Sequence, residues 1–254
     1  SFSPLALNFW KGLVAAIVLF AVTHFFYPDF TLTQNQVFWL LLSGAIGIGL
    51  GDTFFFQALN KIGDSQAILI AETLAPIITA LFAMAWIAEW LTWQQWLGIA
   101  VVILSVDMVI KLQKKQKIHH FEMTGYVYAA LAAVCQAFGA VISRDILTST
   151  DIDPANASQI RLLGGMAIIV VLMMIKKDRW LPKTDTLKQT WLLFAGATII
   201  GTFAALFLQM LAFTYTKAAV VQTLFATSVI LSLGVSRIMG GKVSGRVMLW
   251  WLVA

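Results

Sequence analysis

The side chains able to do chemistry in this 254-residue chain are two acids, four amides and a threonine set in apolar stretches: Glu72, Asp52, Gln57, Gln136, Gln209, Gln222 and Thr79. A carboxylate facing lipid at the centre of a span costs about 2.5 to 3.5 kcal/mol, so such an acid faces protein or a water-filled hollow. There it can hold a proton or a substrate ammonium. Pro76 follows Glu72 by one helical turn and deletes one backbone hydrogen bond, freeing a carbonyl beside the acid, and Thr79 and Ala83 continue nearly the same face. The plainer duty for Glu72 is neutralisation by Lys11 or Lys61 with packing as the only result. Asp52 sits in a span crowded with Gly44, Gly47, Gly49 and Gly51, where pairing with a cation is the simpler expectation. Each amide carries donors and an acceptor that need partners away from water. For Gln57 and Gln209 we expect hydrogen bonds between helices, whereas Gln136 and Gln222 are the better cavity residues.

Bond-making chemistry has no comparable set. The chain holds three His and one Cys, with no HExxH, nucleophile-elbow or P-loop spacing, which argues against an enzyme. Cys135 cannot form an internal disulfide and reads as packing. No metal or cofactor is expected.

The elements that must position these residues are membrane spans. Hydrophobic residues make up 60% and charged residues 11% of the chain, and the mean hydropathy is +0.85, too apolar for a water-soluble domain. Runs of roughly 20 apolar residues, the length that crosses a hydrocarbon core, fall at about 5–27, 37–59, 66–88, 96–112, 123–147, 157–175, 191–213 and 218–238. A ninth begins near Val247. The first run lacks a small-residue cleavage site and reads as a span, not a signal peptide.

Two of these spans repeat. At an offset of 152, Trp39-Leu40-Leu41 matches Trp191-Leu192-Leu193, Gly49 matches Gly201, and Phe55, Gln57 and Leu59 match Phe207, Gln209 and Leu211. Pro4 and Lys11 match Pro154 and Arg161 at an offset of 150, and Trp96-Leu97 matches Met248-Leu249. The first span thus corresponds to the second span of the later copy, so the first copy is expected to lack its opening helix and the last span to be cut short. We divide the chain into a first repeat at 1–112, a basic linker at 113–122 and a second repeat at 123–254. Complete copies would hold five spans each, an odd number, so the two must lie inverted, as in many secondary transporters. The expected fold is an all-α membrane protein of two inverted helical bundles, with eight full spans and a partial ninth present.

Charge sets an expected orientation. Lys61, Lys111, Lys114, Lys115, Lys117, Lys176, Lys177, Arg179, Lys183, Lys188, Arg237, Lys242 and Arg246 fall on one side, against Arg144, Arg161 and Lys217 on the other. By the positive-inside rule the loops 111–122 and 176–190 are cytoplasmic. The net charge of +5 lies in loops, not on one face of a soluble fold, so no nucleic-acid partner is expected. Lys11 and Arg161 are expected to snorkel to headgroups, Asp107 to pair with Lys111, and His119-His120 to be solvated. His24 has no visible ligand set, and Asn156-Ala157-Ser158 is a weak glycosylation match. Ser43, Gly47 and Gly51, like Ala129, Ala133 and Ala137, form small-residue stripes for close helix approach. Trp39, Trp90, Trp93, Trp96, Trp180 and Trp191 read as an interfacial belt.

This order of features resembles the drug/metabolite transporter superfamily, in its ten-span type built from two EamA-type domains. The likeness is carried by the Pro-to-basic spacing at both repeats, Gln57-Ala58-Leu59 and Gln209-Met210-Leu211, and Ala71-Glu72-Thr73-Leu74-Ala75-Pro76 leading to Ala88-Glu89. It covers nearly the whole chain. The resemblance implies export or exchange of small metabolites such as amino acids or amphipathic cations, by alternating access through a cavity between the repeats, with protons as a further ligand. It places the chain in the cell membrane, the bacterial inner membrane for preference, and leaves room for a homodimer. A channel or structural scaffold is the alternative. Two departures follow: Gly240-Gly241 and Ser228 stand where the first copy has Ala88-Glu89 and Pro76, so those residues have no symmetric role. The resemblance also implies cytoplasmic termini, against the charge count, which we follow.

Overall fold

The computed structural model describes residues 3–27, 32–113, 122–180 and 188–231, and the described residues form helices joined by short connections. In order these are α1 (Pro4–Phe26), α2 (Gln34–Gly44), a π-helical segment (Ala45–Leu50), α3 (Gly51–Ile62), α4 (Asp64–Ile87), α5 (Trp93–Gln113), α6 (Met123–Ser149), α7 (Pro154–Lys176), α8 (Lys188–Thr198), a second π-helical segment (Ile199–Ala204), α9 (Ala205–Tyr215) and α10 (Ala218–Ala226). Among the described residues seven helices are long and apolar enough to cross a membrane. The span expected at 218–238 is described as far as Leu231, and the partial ninth lies outside the described residues.

Local capping explains why the helices begin earlier than hydropathy alone suggests. Ser3 Oγ accepts from the Ala6 N–H at 3.1 Å, and Pro4 occupies the first turn of α1, where its missing donor costs nothing. Thr33 and Gln36 form a reciprocal capping box, with the Thr33 N–H donating to Gln36 Oε1 at 2.9 Å, so α2 starts at Gln34. Thr92 and Gln95 repeat that arrangement before α5, again at 2.9 Å. The stop and restart between α3 and α4 rests on Gly63, whose φ of 77° favours glycine.

The chain divides into two compact units. The first comprises residues 1–53 and 138–216, the second 54–137 and 217–254, so each unit draws on both halves of the sequence and the division falls inside α3 and α6.

In the first unit the repeat is visible in the backbone. α1 and α7 are both 23 residues long, each with proline in its first turn and a base, Lys11 or Arg161, as its eighth residue. They pack antiparallel. Leu5 and Ala6 meet Ile169 and Met173, and Ala15 and Leu19 meet Leu162. Further along, Thr23 Oγ1 donates to Gln159 Oε1 at 2.6 Å and Asn156 Nδ2 donates to the Tyr27 carbonyl at 3.2 Å. The chain from α2 into its π segment runs parallel to α7, Gly44 lying on Arg161 and Gly49 on Ile168. The chain from α8 to α9 runs parallel to α1, Trp191 meeting Trp10 at 5.7 Å between ring centroids and Leu206 meeting Ala15 and Leu19. Equivalent helices therefore point in opposite directions, and the two repeats are inverted. The two π segments overlap in the repeat, because at an offset of 152 Ile199–Ala204 corresponds to 47–52, two residues beyond Ala45–Leu50.

Close approach depends on residues without side chains. A Cβ at Gly44 would collide with the Arg161 carbonyl, one at Gly164 with the Leu41 carbonyl, and one at Gly139 would stand 2.7 Å from the Ser43 carbonyl. The stripe of Ser43, Gly47 and Gly51 is buried, and Ser43 Oγ meets Ser143 Oγ at 2.9 Å across to α6.

In the second unit α4, α5 and α10 pack around Val102, Val106, Val109, Ile110, Ala226 and Ile230, with Ala80, Ile99 and Ala219 beyond. Ala129 packs with Ala58, Ile62 and Ala67, and Ala133 and Ala137 are equally buried, as their spacing suggested. Glu89 explains its place after α4: its Oε2 accepts from the Ala218 N–H at 2.9 Å, capping the positive end of α10. Replacing Gly44 tests the close crossing. Gly44→Ala should lower stability by about 1 to 3 kcal/mol through forced backbone displacement. Gly98→Ala, where nothing lies within 4 Å, should leave the thermal midpoint of the purified protein unchanged or slightly raised.

Candidate functional site

Glu72 lies half-buried on α4 in the second unit. The helical bond that a residue at 76 would normally make goes to the carbonyl of residue 72, so Pro76 releases the acid's own backbone oxygen. Neither of the two bases expected to neutralise Glu72 pairs with it. Lys11 Nζ is 3.5 Å from Asp52 Oδ2, and Lys61 pairs with Glu122. Glu72 has no hydrogen bond or ion pair among the described residues.

Thr79 stands seven residues on, at nearly the same angular position at 100° per residue, and is fully buried. Hydroxyls within these helices usually donate to the carbonyl four residues back, as Thr53, Ser143 and Thr223 do at 2.7 Å each. Thr79 Oγ1 makes no such bond and has no partner among the described residues. Gln222 is 2% exposed, and its Nε2 is likewise unpartnered.

Packing sets the heights of these groups. Ala219 meets Ala80, while Ala226 and Ile230 share a cluster with Ile68 and Leu69, so α10 runs antiparallel to α4. That places Gln222, which shares the face of Ala219 and Ala226, near the level of Pro76, between Glu72 and Thr79. Ser105 on α5 joins the set. It lies on the face of Val102, Val106 and Val109, near the level of Glu72 by the same packing, and its buried Oγ is unpartnered. Sequence reasoning missed Ser105 because a lone serine in a span carries no signal until its partners can be counted.

The other amides are dispersed. Gln57 and Gln136 are half-buried in the second unit, and neither makes a hydrogen bond among the described residues. Gln209 is 6% exposed in the first unit. The repeat mates Gln57 and Gln209 therefore do not share an environment.

Asp52 stands two residues beyond the first π segment, after Gly51. Such segments displace the residues after them around the helix and recur at functional positions. Its ion pair with Lys11 is one-third exposed on both sides. Arg161 departs from expectation: it is 2% exposed and does not snorkel. Asp107 and Lys111 form the expected local pair at 2.7 Å. Asn156 is buried and bonded to Tyr27, which leaves it unsuited to glycosylation. His24 stacks on Phe20 at 6.0 Å. Outside the spans, hydrogen bonds from Lys61 and then Thr124 hold the Glu122 carboxyl below the usual range. His119-His120, Gly240-Gly241 and most of the basic loops lie outside the described residues.

The sequence profile of the EamA-like transporter family matches residues 1–111 and 123–252. No curated protein sequence matches closely enough to count as a relative. A crystal structure described only as that of a protein has the same fold, with a TM-score of 0.81 at 17% identity, covering 100% of this chain and 85% of that one. A membrane chain with inverted EamA repeats, matched over nearly its whole length, belongs to the EamA-like transporter family.

Proposed function

We propose that the protein is a secondary transporter that exports or exchanges small organic metabolites, such as amino acids or amphipathic cations, across the cell membrane by alternating access. Glu72 carries this reading: an acid within a span, without a cation partner among the described residues, beside its own released carbonyl. A carboxylate so placed gains from a partner that arrives from outside the chain, either a proton or an ammonium group. Thr79, Ser105 and Gln222 supply hydrogen-bonding groups near its level that the helices leave unused. Asp52, held by Lys11 at the end of a π segment, is the second acid available for coupling, and Gln57, Gln136 and Gln209 are secondary candidates. The inverted relation of α1 to α7 supports alternating access, because exchanging the shapes of two such repeats opens a path to the opposite side.

The basic loops 111–122 and 176–190 face the cytoplasm in this proposal, supported by the concentration of Lys and Arg there. A reporter active on one side only, inserted between residues 113 and 122, should signal from the cytoplasm. An external signal would reverse the orientation.

Counterflow of labelled solutes in proteoliposomes tests the transport reading itself. Wild-type protein should exchange at least one amine-bearing metabolite, and Glu72→Gln should slow that exchange tenfold or more, on the order expected for loss of a buried charge partner. The substitution should also flatten the pH profile of exchange. An unchanged rate and unchanged pH profile would remove Glu72 from the mechanism.

A further inference from the structure

We propose that the Arg161 guanidinium is a receptor for a carboxylate on the transported solute. The inference rests on the transporter reading and narrows its substrates to amino acids and organic acids.

Arg161 is buried within the first unit among α2, α6, α7 and α9. A guanidinium carries five N–H donors, and here the protein leaves them poorly used. Nε has no partner, and the hydrogen bond recorded for Nη1 runs to Met210 Sδ at 4.0 Å, a weak acceptor. No carboxylate approaches within 4.0 Å among the described residues. The Oδ2 of Asp52 lies with Lys11 at 3.5 Å, so that acid is already paired.

The neighbouring position on α6 presents no side chain to the guanidinium. Gly139 stands beside it, so near that a Cβ there would be 3.3 Å from Nη2. Ser158, one turn before Arg161, donates its hydroxyl to the Pro154 carbonyl at 2.6 Å, and its oxygen receives no hydrogen bond from the arginine among the described residues. A buried cation without acceptors is costly. Were Arg161 a tie between helices, it would need carbonyls or carboxylates in hydrogen-bond range, and the described structure supplies only a thioether. A carboxylate fits the need, since the planar fork offers two parallel N–H···O bonds. The repeat mate Lys11, partly solvated and already paired, has no such vacancy. Arginine in place of lysine supplies the geometry for two-point recognition.

The test uses the purified full chain, with its thermal midpoint measured in acetate, hexanoate, L-alanine and L-leucine against chloride at equal ionic strength. Acetamide and L-leucinamide serve as counterparts lacking the carboxylate. At least one carboxylate should raise the midpoint where chloride and the amides do not, and Arg161→Met should abolish the rise. Arg161→Lys should demand on the order of tenfold more ligand, since it keeps the charge and loses the fork. A response to amino acids alone assigns the site to them, and a response to acetate or hexanoate alone assigns it to organic acids. No carboxylate-specific rise, or equal responses in wild type and Arg161→Lys, would overturn the proposal. Counterflow on the same preparations separates the two readings. Exchange unaffected by Arg161→Met would sink the carboxylate site and leave transport standing, whereas a midpoint response without counterflow would do the reverse.

Discussion

The antiparallel seating of α1 against α7, its own counterpart in the other repeat, is the contact on which the first unit depends. Both helices start at a proline, run 23 residues and carry a base at the eighth position, so the same design meets itself upside down. Small residues allow this. Gly12 lies on Met166, and Gly44, Gly49, Gly164 and Gly165 let α2 and its π segment lie directly on α7. Between apolar helices in lipid there is no hydrophobic drive to associate, and close packing must hold them together.

The second constraint is the lack of water in the hydrocarbon core, where each polar group needs a partner within the protein. Most have one. Hydroxyls return to carbonyls four residues back, Ser43 meets Ser143, Lys11 meets Asp52, and Glu89 caps α10. Among the described residues, the fully buried side-chain atoms without a partner belong to Thr79, Ser105 and Gln222 near the level of Glu72 in the second unit, and to Asn8 and Arg161 in the first. In the transport reading proposed above, these leftover groups are the candidates for binding cargo.

Much of this was legible in the residues. The seven described spans follow from apolar length, and the inversion follows from the repeat offset combined with an odd span count. Glu72 stands out as an acid in an apolar run, and Asp107 with Lys111 as a pair one turn apart. Three features were hidden for physical reasons. The π segments are a backbone property with no side-chain signature. Ser105 becomes informative only when α5 is seen facing α10. Snorkelling was the natural expectation for Arg161 because a base near a helix end can reach headgroups, yet the glycines of α2 and α6 bring backbone so close that its side chain is enclosed. Helix starts shifted by a few residues wherever a capping box or a first-turn proline, and not hydropathy, decided the boundary.

Paired cysteines across α1 and α7, in a Cys135→Ser background in native membranes, test the inverted arrangement most directly. Antiparallel packing predicts that Ala6→Cys with Met173→Cys, and Thr23→Cys with Gln159→Cys, will cross-link efficiently. The same packing predicts no cross-link for Ala6→Cys with Gln159→Cys or Thr23→Cys with Met173→Cys. The reverse pattern would mean that the two helices run the same way, and the inverted repeat would be contradicted.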